Sequence, residues 1–175
     1  MVLREVTTWH YEMTSPDQFH PSQRKTPGLE FRQSKICLPS FGLFLNNAVG
    51  ANYNWVLRRS WTAEQWHEFW DRPELQVWVA WLQGTPAGFF ELEFQPGQSV
   101  EIVKFGIVPE FVGQGLGGEM LTFALQHAWQ SKAKRVWLHT CSLDHPTARA
   151  HYEARGFRLF NQETTTKDIQ PPQGV

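Results

Sequence analysis

The chain has 175 residues, of which 41% are hydrophobic and 19% are charged, and its formal net charge is −1. These values are ordinary for one globular domain with a buried core, and the charge provides no basic field for nucleic acid or an anionic membrane. Two cysteines are too few for a disulfide framework, and neither a signal peptide nor a membrane span is visible, so we expect a single cytoplasmic domain covering residues 1–175.

The first 73 residues predict a strand, a loop and two helices. Residues 2–13, rich in Val, Thr, Trp and Tyr, predict the strand, and the proline-containing residues 14–30 predict a loop with a short helical turn. Further on, apolar side chains at helical spacing indicate a helix that ends at Gly50. Thr62 and Gln65 fit a capping box that starts the second helix.

The rest of the chain alternates strands, turns and helices. Short polar turns separate the first three strands, which predicts an antiparallel meander. The predicted strands are 75–82, 87–95, 99–108, 135–141 and 157–164, the predicted helices are 116–131 and 146–155, and a loose tail follows at 165–175. This order predicts an α/β (α+β) fold in which helices cover a mixed, mostly antiparallel central sheet.

Residues 113–118, "GQGLGG", place four glycines around the start of the predicted helix 116–131. Each glycine inside a helix costs roughly 1 kcal/mol relative to alanine, so the pattern needs a reason. A helix start without side chains exposes its first backbone N–H groups at the positive end of the helix dipole, where a phosphate can approach closely. The glycines therefore indicate an anion site.

Two other interpretations of this glycine turn are a tight strand-to-helix connection and a dinucleotide fingerprint. Close packing explains one glycine more easily than four. The letters match G-x-G-x-x-G, but that motif needs a parallel βαβ unit and an acidic residue about 20 positions further on. Here a meander precedes the glycines, and the next strand ends in "LHTC" without Asp or Glu, which disfavours a dinucleotide enzyme.

The glycine turn after a meander, followed by a strand and then by "HYEARGF" at residues 151–157, resembles the GNAT superfamily of acyl-CoA-dependent N-acyltransferases. The resemblance covers residues 75–160, about half of the chain. In the family the glycine motif usually begins with Arg or Gln, whereas Val112 stands at that position here. This departure removes one side-chain contact with the coenzyme and leaves the backbone donors in place.

The resemblance implies a path for the coenzyme along one strand and across the glycine turn. The pyrophosphate of acetyl-CoA would lie on the N–H groups of the turn, and the pantetheine arm would pair with the end of the preceding strand. The implied contact residues are Phe105, Gly106, Ile107, Gly113, Gln114, Gly115, Leu116, Gly117, Gly118 and His145. Gly106 would leave room beside the backbone, and His145 would either touch the pantetheine or cap the following helix. No metal is implied.

The resemblance also implies catalytic roles, and Tyr152 matches the usual general acid of the family. Three carboxylates are candidates for the base. Glu91 and Glu93 lie two apart on one strand face, and Glu101 follows on the next strand. Glu101 is the first choice because its strand leads to the acetyl site. A metal site within "HTCSLDH", residues 139–145, is a competing interpretation, although its spacing matches no familiar zinc pattern.

These assignments predict an N-acetyltransferase that transfers an acetyl group from acetyl-CoA to a primary amine by direct attack in a ternary complex. The alternative is a non-catalytic acyl-CoA-binding or sensor module on the same fold. Residues 14–73 lie outside the shared core of residues 75–164, so we expect them to frame the acceptor site. Their aromatic side chains suggest an apolar or aromatic-walled pocket, and these are Phe41, Phe44, Tyr53, Trp55 and Trp61. The acceptor is a small-molecule or protein amine, nucleic acid and membrane are not expected partners, and the resemblance allows a homodimer.

Overall fold

Local sequence signals specify most of the helices and strands. The computed structural model describes residues 2–50, 52–53 and 55–169. Its strands are β1 (Val2–Met13), β2 (Leu29–Ser34), β3 (Leu75–Leu82), β4 (Thr85–Gln95), β5 (Ser99–Ile107), β6 (Arg135–Cys141) and β7 (Arg158–Ile169). Its α-helices are α1 (Pro39–Gly50), α2 (Ala63–Trp70), α3 (Leu116–Gln130) and α4 (Ala148–Ala154). The predicted capping box opens α2, since the Thr62 hydroxyl accepts from the Gln65 N–H and the Gln65 side chain accepts from the Thr62 N–H.

Within the described residues, the strands form one sheet in the order β2-β3-β4-β5-β6-β1-β7. Every neighbouring pair is antiparallel except β5 and β6, which run parallel. The strands β3, β4 and β5 form the predicted meander. The mixed, mostly antiparallel sheet covered by helices that the sequence predicts is therefore confirmed.

The pairing of β5 with β6 stops early. Residues 99–101 of β5 pair with residues 135–137 of β6, and beyond these positions the two strands have no ladder. On its other side β5 pairs with β4 up to Ile107, with a register shift that leaves Val103 as an extra residue. A β-bulge bends its strand and increases the local twist, so the bulge turns the end of β5 away from β6. The sheet is consequently split between these strands.

Helices cover both faces of the sheet, and each face has its own apolar cluster. Phe90 of β4 belongs to the larger cluster, which includes side chains of α3 and α4. The neighbouring Phe89 belongs to the smaller cluster, which includes side chains of α1 and α2. Successive residues of a strand point to opposite faces, so the two helix pairs lie on opposite sides of the sheet. In the described part of the chain, no helix combines the length and apolarity needed to cross a bilayer.

Two elements differ from the prediction. The range 14–30 was expected to be a loop, but β2 begins within it and forms an edge strand that pairs with β3. The final strand was expected to stop at residue 164, but β7 continues to Ile169 and pairs with β1 along its length. The predicted tail is therefore wrong for residues 165–169, and its remaining residues, 170–175, lie outside the described part of the chain.

Candidate functional site

A cavity of about 920 Å³ lies at the split between β5 and β6. Its walls include residues 102–107 of β5 and 138–141 of β6, which are the parts of these strands that do not pair with each other. The start of α3 and one side of α4 line the cavity on one face of the sheet, and the end of α1 with the loop after it lines the other. The cavity therefore connects the two faces through the sheet.

Most of the predicted site residues meet in the wall of this cavity. They are Phe105, Gly106, Ile107, Gly113, Gly115, Leu116, Gly117, Gly118, His145 and Tyr152. Gln114 is the one predicted coenzyme residue outside the wall, since its side-chain amide donates to the Glu110 carbonyl at 3.1 Å.

The backbone requires glycine at two positions of the glycine turn. Gly113 and Gly115 have φ angles of +83° and +81°, in the left-handed region that side-chain-bearing residues rarely adopt. Gly115 is the N-cap of α3, and none of the described side chains caps this helix start. The first N–H groups of α3 are therefore available to an anion at the positive end of the helix dipole.

The missing side chain of Gly106 has a different role from the expected one. An added Cβ would overlap Val49 of α1 and would lie 3.3 Å from the Trp55 ring. Gly106 therefore makes room for α1 to pack on β5, and the expectation that it leaves open space for a ligand is corrected. Both Val49 and Trp55 belong to the cavity wall.

Tyr152 of α4 is 7% exposed and packs edge-on against Phe105, with ring centroids 6.2 Å apart. Burial raises the pKa of its hydroxyl above the usual range, and the negative charge of Asp144 adds to this effect. The hydroxyl therefore stays protonated at neutral pH and is a weaker acid than that of a free tyrosine.

Two of the three predicted carboxylates are held in ion pairs away from the cavity wall. Glu91 is fully buried and binds the Arg58 guanidinium through two hydrogen bonds of 2.5 and 2.9 Å, and it also accepts from the Trp70 indole at 2.9 Å. Glu93 lies 3.2 Å from an Arg72 nitrogen. The geometry gives neither carboxylate access to the cavity.

Glu101, by contrast, has an indirect connection to the cavity. It accepts a hydrogen bond from Gln95 at 2.9 Å, and its other oxygen lies 3.7 Å from Nδ1 of His139, a residue of the cavity wall. Burial raises the pKa of Glu101 and lowers the pKa of His139, so the imidazole is neutral at pH 7. His139 can therefore accept a proton on the cavity side of Glu101.

Lys104 and His139 are wall residues that sequence reasoning did not identify as coenzyme or catalytic residues. The Lys104 ammonium lies 4.3 Å from the centre of the Trp55 ring, and burial together with the Arg58 charge lowers the pKa of this lysine. Strand alternation alone could not place Lys104, because the bulge at Val103 interrupts the alternation just before it.

The residues of "HTCSLDH" shape a turn rather than gather around a metal. The Asp144 carboxylate accepts from the Thr140 hydroxyl at 2.7 Å and from the Cys141 N–H at 2.9 Å, which fixes the chain after β6. Within the described ranges, the three-residue group with metal-ligand spacing is Cys37, His67 and Asp71, and none of its members lines the cavity.

Two histidines lie at α4: His145 comes just before the helix, and His151 is part of it. Nδ1 of His145 accepts from the Thr147 N–H at 3.2 Å, so His145 caps the turn that leads into the helix while it also lines the cavity. His151 faces Gly117, and its buried Nε2 has no hydrogen-bond partner among the described residues. Burial, helped by the Arg155 charge, lowers the pKa of His151 to about 4.

On the other side of the split, Tyr53 and Trp55 line the cavity, whereas the other aromatic residues expected in the pocket walls, Phe41, Phe44 and Trp61, do not line it. Trp55 packs edge-on against Phe89, with ring centroids 6.1 Å apart, and its indole N–H lies 3.4 Å from an Asp144 oxygen. Trp55 thus bridges the loop after α1 and the turn after β6. The segment that precedes the meander therefore contributes one side of the cavity.

Comparison with known proteins agrees with this geometry. The family model described as acetyltransferase (GNAT) family matches residues 45–157, more than half of the chain. No curated protein matches the sequence. A GCN5-related N-acetyltransferase from Sphaerobacter thermophilus has a TM-score of 0.71 at 17% identity, with 99% of this chain and 55% of that chain covered.

Two further solved structures share the fold. A GCN5-related N-acetyltransferase from Kribbella flavida gives a TM-score of 0.64 at 16% identity, with 98% of this chain and 61% of that chain covered. An IAA acetyltransferase from Bacillus cereus gives a TM-score of 0.56 at 18% identity, with 76% of this chain and 79% of that chain covered. This chain thus spans less than two thirds of the Sphaerobacter and Kribbella proteins. The family match, the split sheet and the glycine turn together lead to one conclusion: the chain belongs to the GNAT acetyltransferase family.

Proposed function

We propose that this protein transfers an acetyl group from acetyl-CoA to a primary amine. The observation that carries the proposal is the split between β5 and β6, which opens a cavity onto the uncapped start of α3. The acceptor would be a small-molecule or protein amine, and a cytoplasmic location and a homodimeric assembly remain predictions from the sequence.

The cavity fits the coenzyme in size and in chemistry. Its volume of about 920 Å³ lies within the usual range of ligand sites, roughly 300–1,000 Å³. Among the described residues, no strand pairs with the inner edge of β5 beyond Glu101, so an extended arm with amide groups can hydrogen-bond there as an added strand does. The N–H groups after Gly115 suit a diphosphate. When bound, acetyl-CoA supplies the activated acyl thioester.

Residues of the chain would then donate and accept the protons of the reaction. Tyr152 keeps its hydroxyl proton at neutral pH and would donate it to the departing thiolate sulfur. His139, neutral at pH 7, would accept the proton of the attacking amine at one ring nitrogen, with Glu101 next to the imidazole stabilising the positive charge. In this proposal His139 is the base that faces the amine, and Glu101 assists it through its negative charge.

Calorimetry with acetyl-CoA and a thiol-release assay over a panel of amines test the proposal. We expect saturable binding of acetyl-CoA, and amine-dependent release of coenzyme A. Replacing Tyr152→Phe should lower kcat about 100-fold, because positioned acids contribute roughly 10²–10⁴-fold, and should leave the Kd for acetyl-CoA unchanged. Absence of binding at millimolar acetyl-CoA would contradict the proposal. Binding without turnover of any amine would favour the non-catalytic sensor.

A further inference from the structure

A segment outside the matched family region lies across the start of α3. Residues 19–28 connect β1 to β2, and two of them are fixed to the helix. The Ser22 N–H donates to the Thr122 hydroxyl at 2.8 Å, and Thr26 donates to the Glu119 carboxylate from its N–H at 2.9 Å and from its hydroxyl at 2.5 Å. The segment is therefore held in one position relative to the glycine turn.

This position puts the Arg24 side chain directly on the glycine turn. A Cβ added to Gly115 would lie 2.8 Å from Cδ of Arg24 and 2.9 Å from its Nε and Nη1. The Arg24 side chain is 56% exposed, and its Nε lies 3.6 Å from Glu119. Nε also donates to the Thr26 hydroxyl at 3.4 Å, while Nη1 and Nη2 have no hydrogen-bond partner among the described residues. The guanidinium thus reaches the turn with these two groups available to a ligand.

The position of Arg24 on the glycine turn matters because of the residue at position 112. The family motif usually has Arg or Gln at this position, whereas the side chain of Val112 has no hydrogen-bond donor and the residue is 41% exposed. Position 112 therefore supplies no side-chain donor, and the Gln114 amide donates to the Glu110 carbonyl, while the Arg24 guanidinium reaches the same turn from residues 19–28.

We propose that Arg24 binds the diphosphate of the coenzyme at the glycine turn and supplies the donor that Val112 lacks. This rests on the proposed use of acetyl-CoA. A guanidinium presents a planar fork of N–H donors that matches phosphate oxygens, and it remains charged at every physiological pH.

The other charged groups around the turn are compatible with an anionic ligand. Glu119 would repel a diphosphate, but its two oxygens accept hydrogen bonds from Thr26 and one of them faces Arg24. Arg155 approaches from α4, with Nη2 3.1 Å from the position of a Cβ on Gly118 and with a buried Nε that has no hydrogen-bond partner among the described residues. Two guanidiniums thus flank the N–H groups at the start of α3.

The test compares acetyl-CoA with S-acetylpantetheine, which has the same arm and thioester but lacks the diphosphate and the adenosine 3′-phosphate. Arg24→Ala should raise the Kd for acetyl-CoA about 10- to 100-fold, since a hydrogen bond to a charged group is worth about 1.5–3 kcal/mol and every 1.4 kcal/mol is tenfold. The Kd for S-acetylpantetheine should stay unchanged. An equal effect of Arg24→Ala on the Kd for 3′-dephospho-acetyl-CoA assigns the contact to the diphosphate. Lys25→Ala, which removes an exposed neighbouring cation, is the matched control and should alter neither Kd.

Rescue provides the second part of the test. Adding Val112→Arg to the Arg24→Ala variant should restore most of the affinity for acetyl-CoA. Unfolding midpoints of all variants, measured by thermal denaturation, should agree with that of the wild type. An unchanged Kd for acetyl-CoA in Arg24→Ala, or an equal loss for both ligands, would overturn the inference. If the wild type binds S-acetylpantetheine and acetyl-CoA equally, the inference fails although the acetyl-donor site stands; if it binds neither, the proposed function fails.

Discussion

At the scale of single residues, His151 shows how burial controls a charge beside the glycine turn. Its imidazole faces Gly117 and lies near the Arg155 guanidinium, so a second positive charge there is disfavoured. The pKa of about 4 keeps the ring neutral across the physiological range. At neutral pH the positive charge at this end of the cavity therefore comes from arginine side chains and not from His151.

The lowered pKa of His151 predicts a pH-dependent stability. The ordinary histidine pKa is about 6.5, so between pH 6.5 and 4 the unfolded chain binds a proton that the folded chain does not, and stability falls as the pH falls. The full shift corresponds to about 3 kcal/mol at most, at 1.36 kcal/mol per pKa unit. Urea denaturation at pH 7 and pH 4.5 should show a smaller acid-induced loss for His151→Gln than for the wild type. Equal losses would contradict the prediction.

At the scale of secondary-structure elements, α1 packs on β5 through Gly106. The space that a side chain would occupy there is taken by Val49, and Trp55 from the loop after α1 closes the same site. Since α1 and this loop form one wall of the cavity, the contact also sets the shape of that wall. A glycine on a strand thus positions a helix.

Replacing Gly106→Ala should destabilise the fold by about 1–3 kcal/mol, the usual range for an overpacked core. The reason is the overlap of the new methyl group with Val49. The double variant Gly106→Ala/Val49→Ala should lose less than the sum of the two single changes, as urea denaturation can measure. Additive losses would mean that Gly106 is needed for a reason other than this packing.

Some of the helices and strands are predicted by the sequence, and others are not. The meander and α3 were predicted because their apolar patterns are continuous. The strand β2 was missed although Leu29 and Phe31 alternate with polar residues as in a strand, because it is a short edge strand that directly follows a stretch rich in proline. The end of β7 was missed because the side chains of residues 158–168 are exposed, and backbone pairing with β1 holds them in the sheet. Backbone pairing of polar residues leaves little signal in a single sequence.

Much of the candidate site could be predicted because its residues belong to short sequence motifs. Gly113, Gly115 and Tyr152 belong to short motifs whose letters follow from backbone geometry or from the family resemblance. Lys104 and His139 gave no such signal, because they meet at one cavity only when β5 and β6 separate. Separation of two strands is a tertiary property that local patterns do not encode.

At the scale of the whole molecule, one buried ion pair joins the region after α1 to the centre of the sheet. Arg58 is 6% exposed and Glu91 of β4 is fully buried, and the Trp70 indole of α2 donates to the same carboxylate. The Arg58 guanidinium also lies 4.3 Å from the Phe69 ring centre and 4.8 Å from that of Trp61. These contacts hold the chain between α1 and α2 against the sheet.

Removing one member of this pair should therefore be costly. Glu91→Ala leaves the Arg58 charge buried without its partner, and we expect a loss of about 3–5 kcal/mol in the free energy of unfolding. Glu30→Ala, which breaks an exposed pair with Arg32, should cost no more than about 1 kcal/mol. Urea denaturation measures both. A Glu91→Gln variant that kept full stability but lost activity would instead support a catalytic role for this carboxylate.

The split between β5 and β6 also has a mechanical consequence. The strands β2 to β5 and the strands β6, β1 and β7 form two half-sheets, and among the described residues the backbone ladder between them covers three residue pairs from Ser99 to Glu101, with a side-chain hydrogen bond from Trp137 to Gln95 beside it. From Glu101 to Ile107, the part of β5 that pairs with β4 but not with β6 is about 20 Å long at roughly 3.3 Å per residue, so a rotation of about 3° at the joint would move its end by about 1 Å. A small rotation of one half-sheet against the other would therefore change the width of the cavity between them.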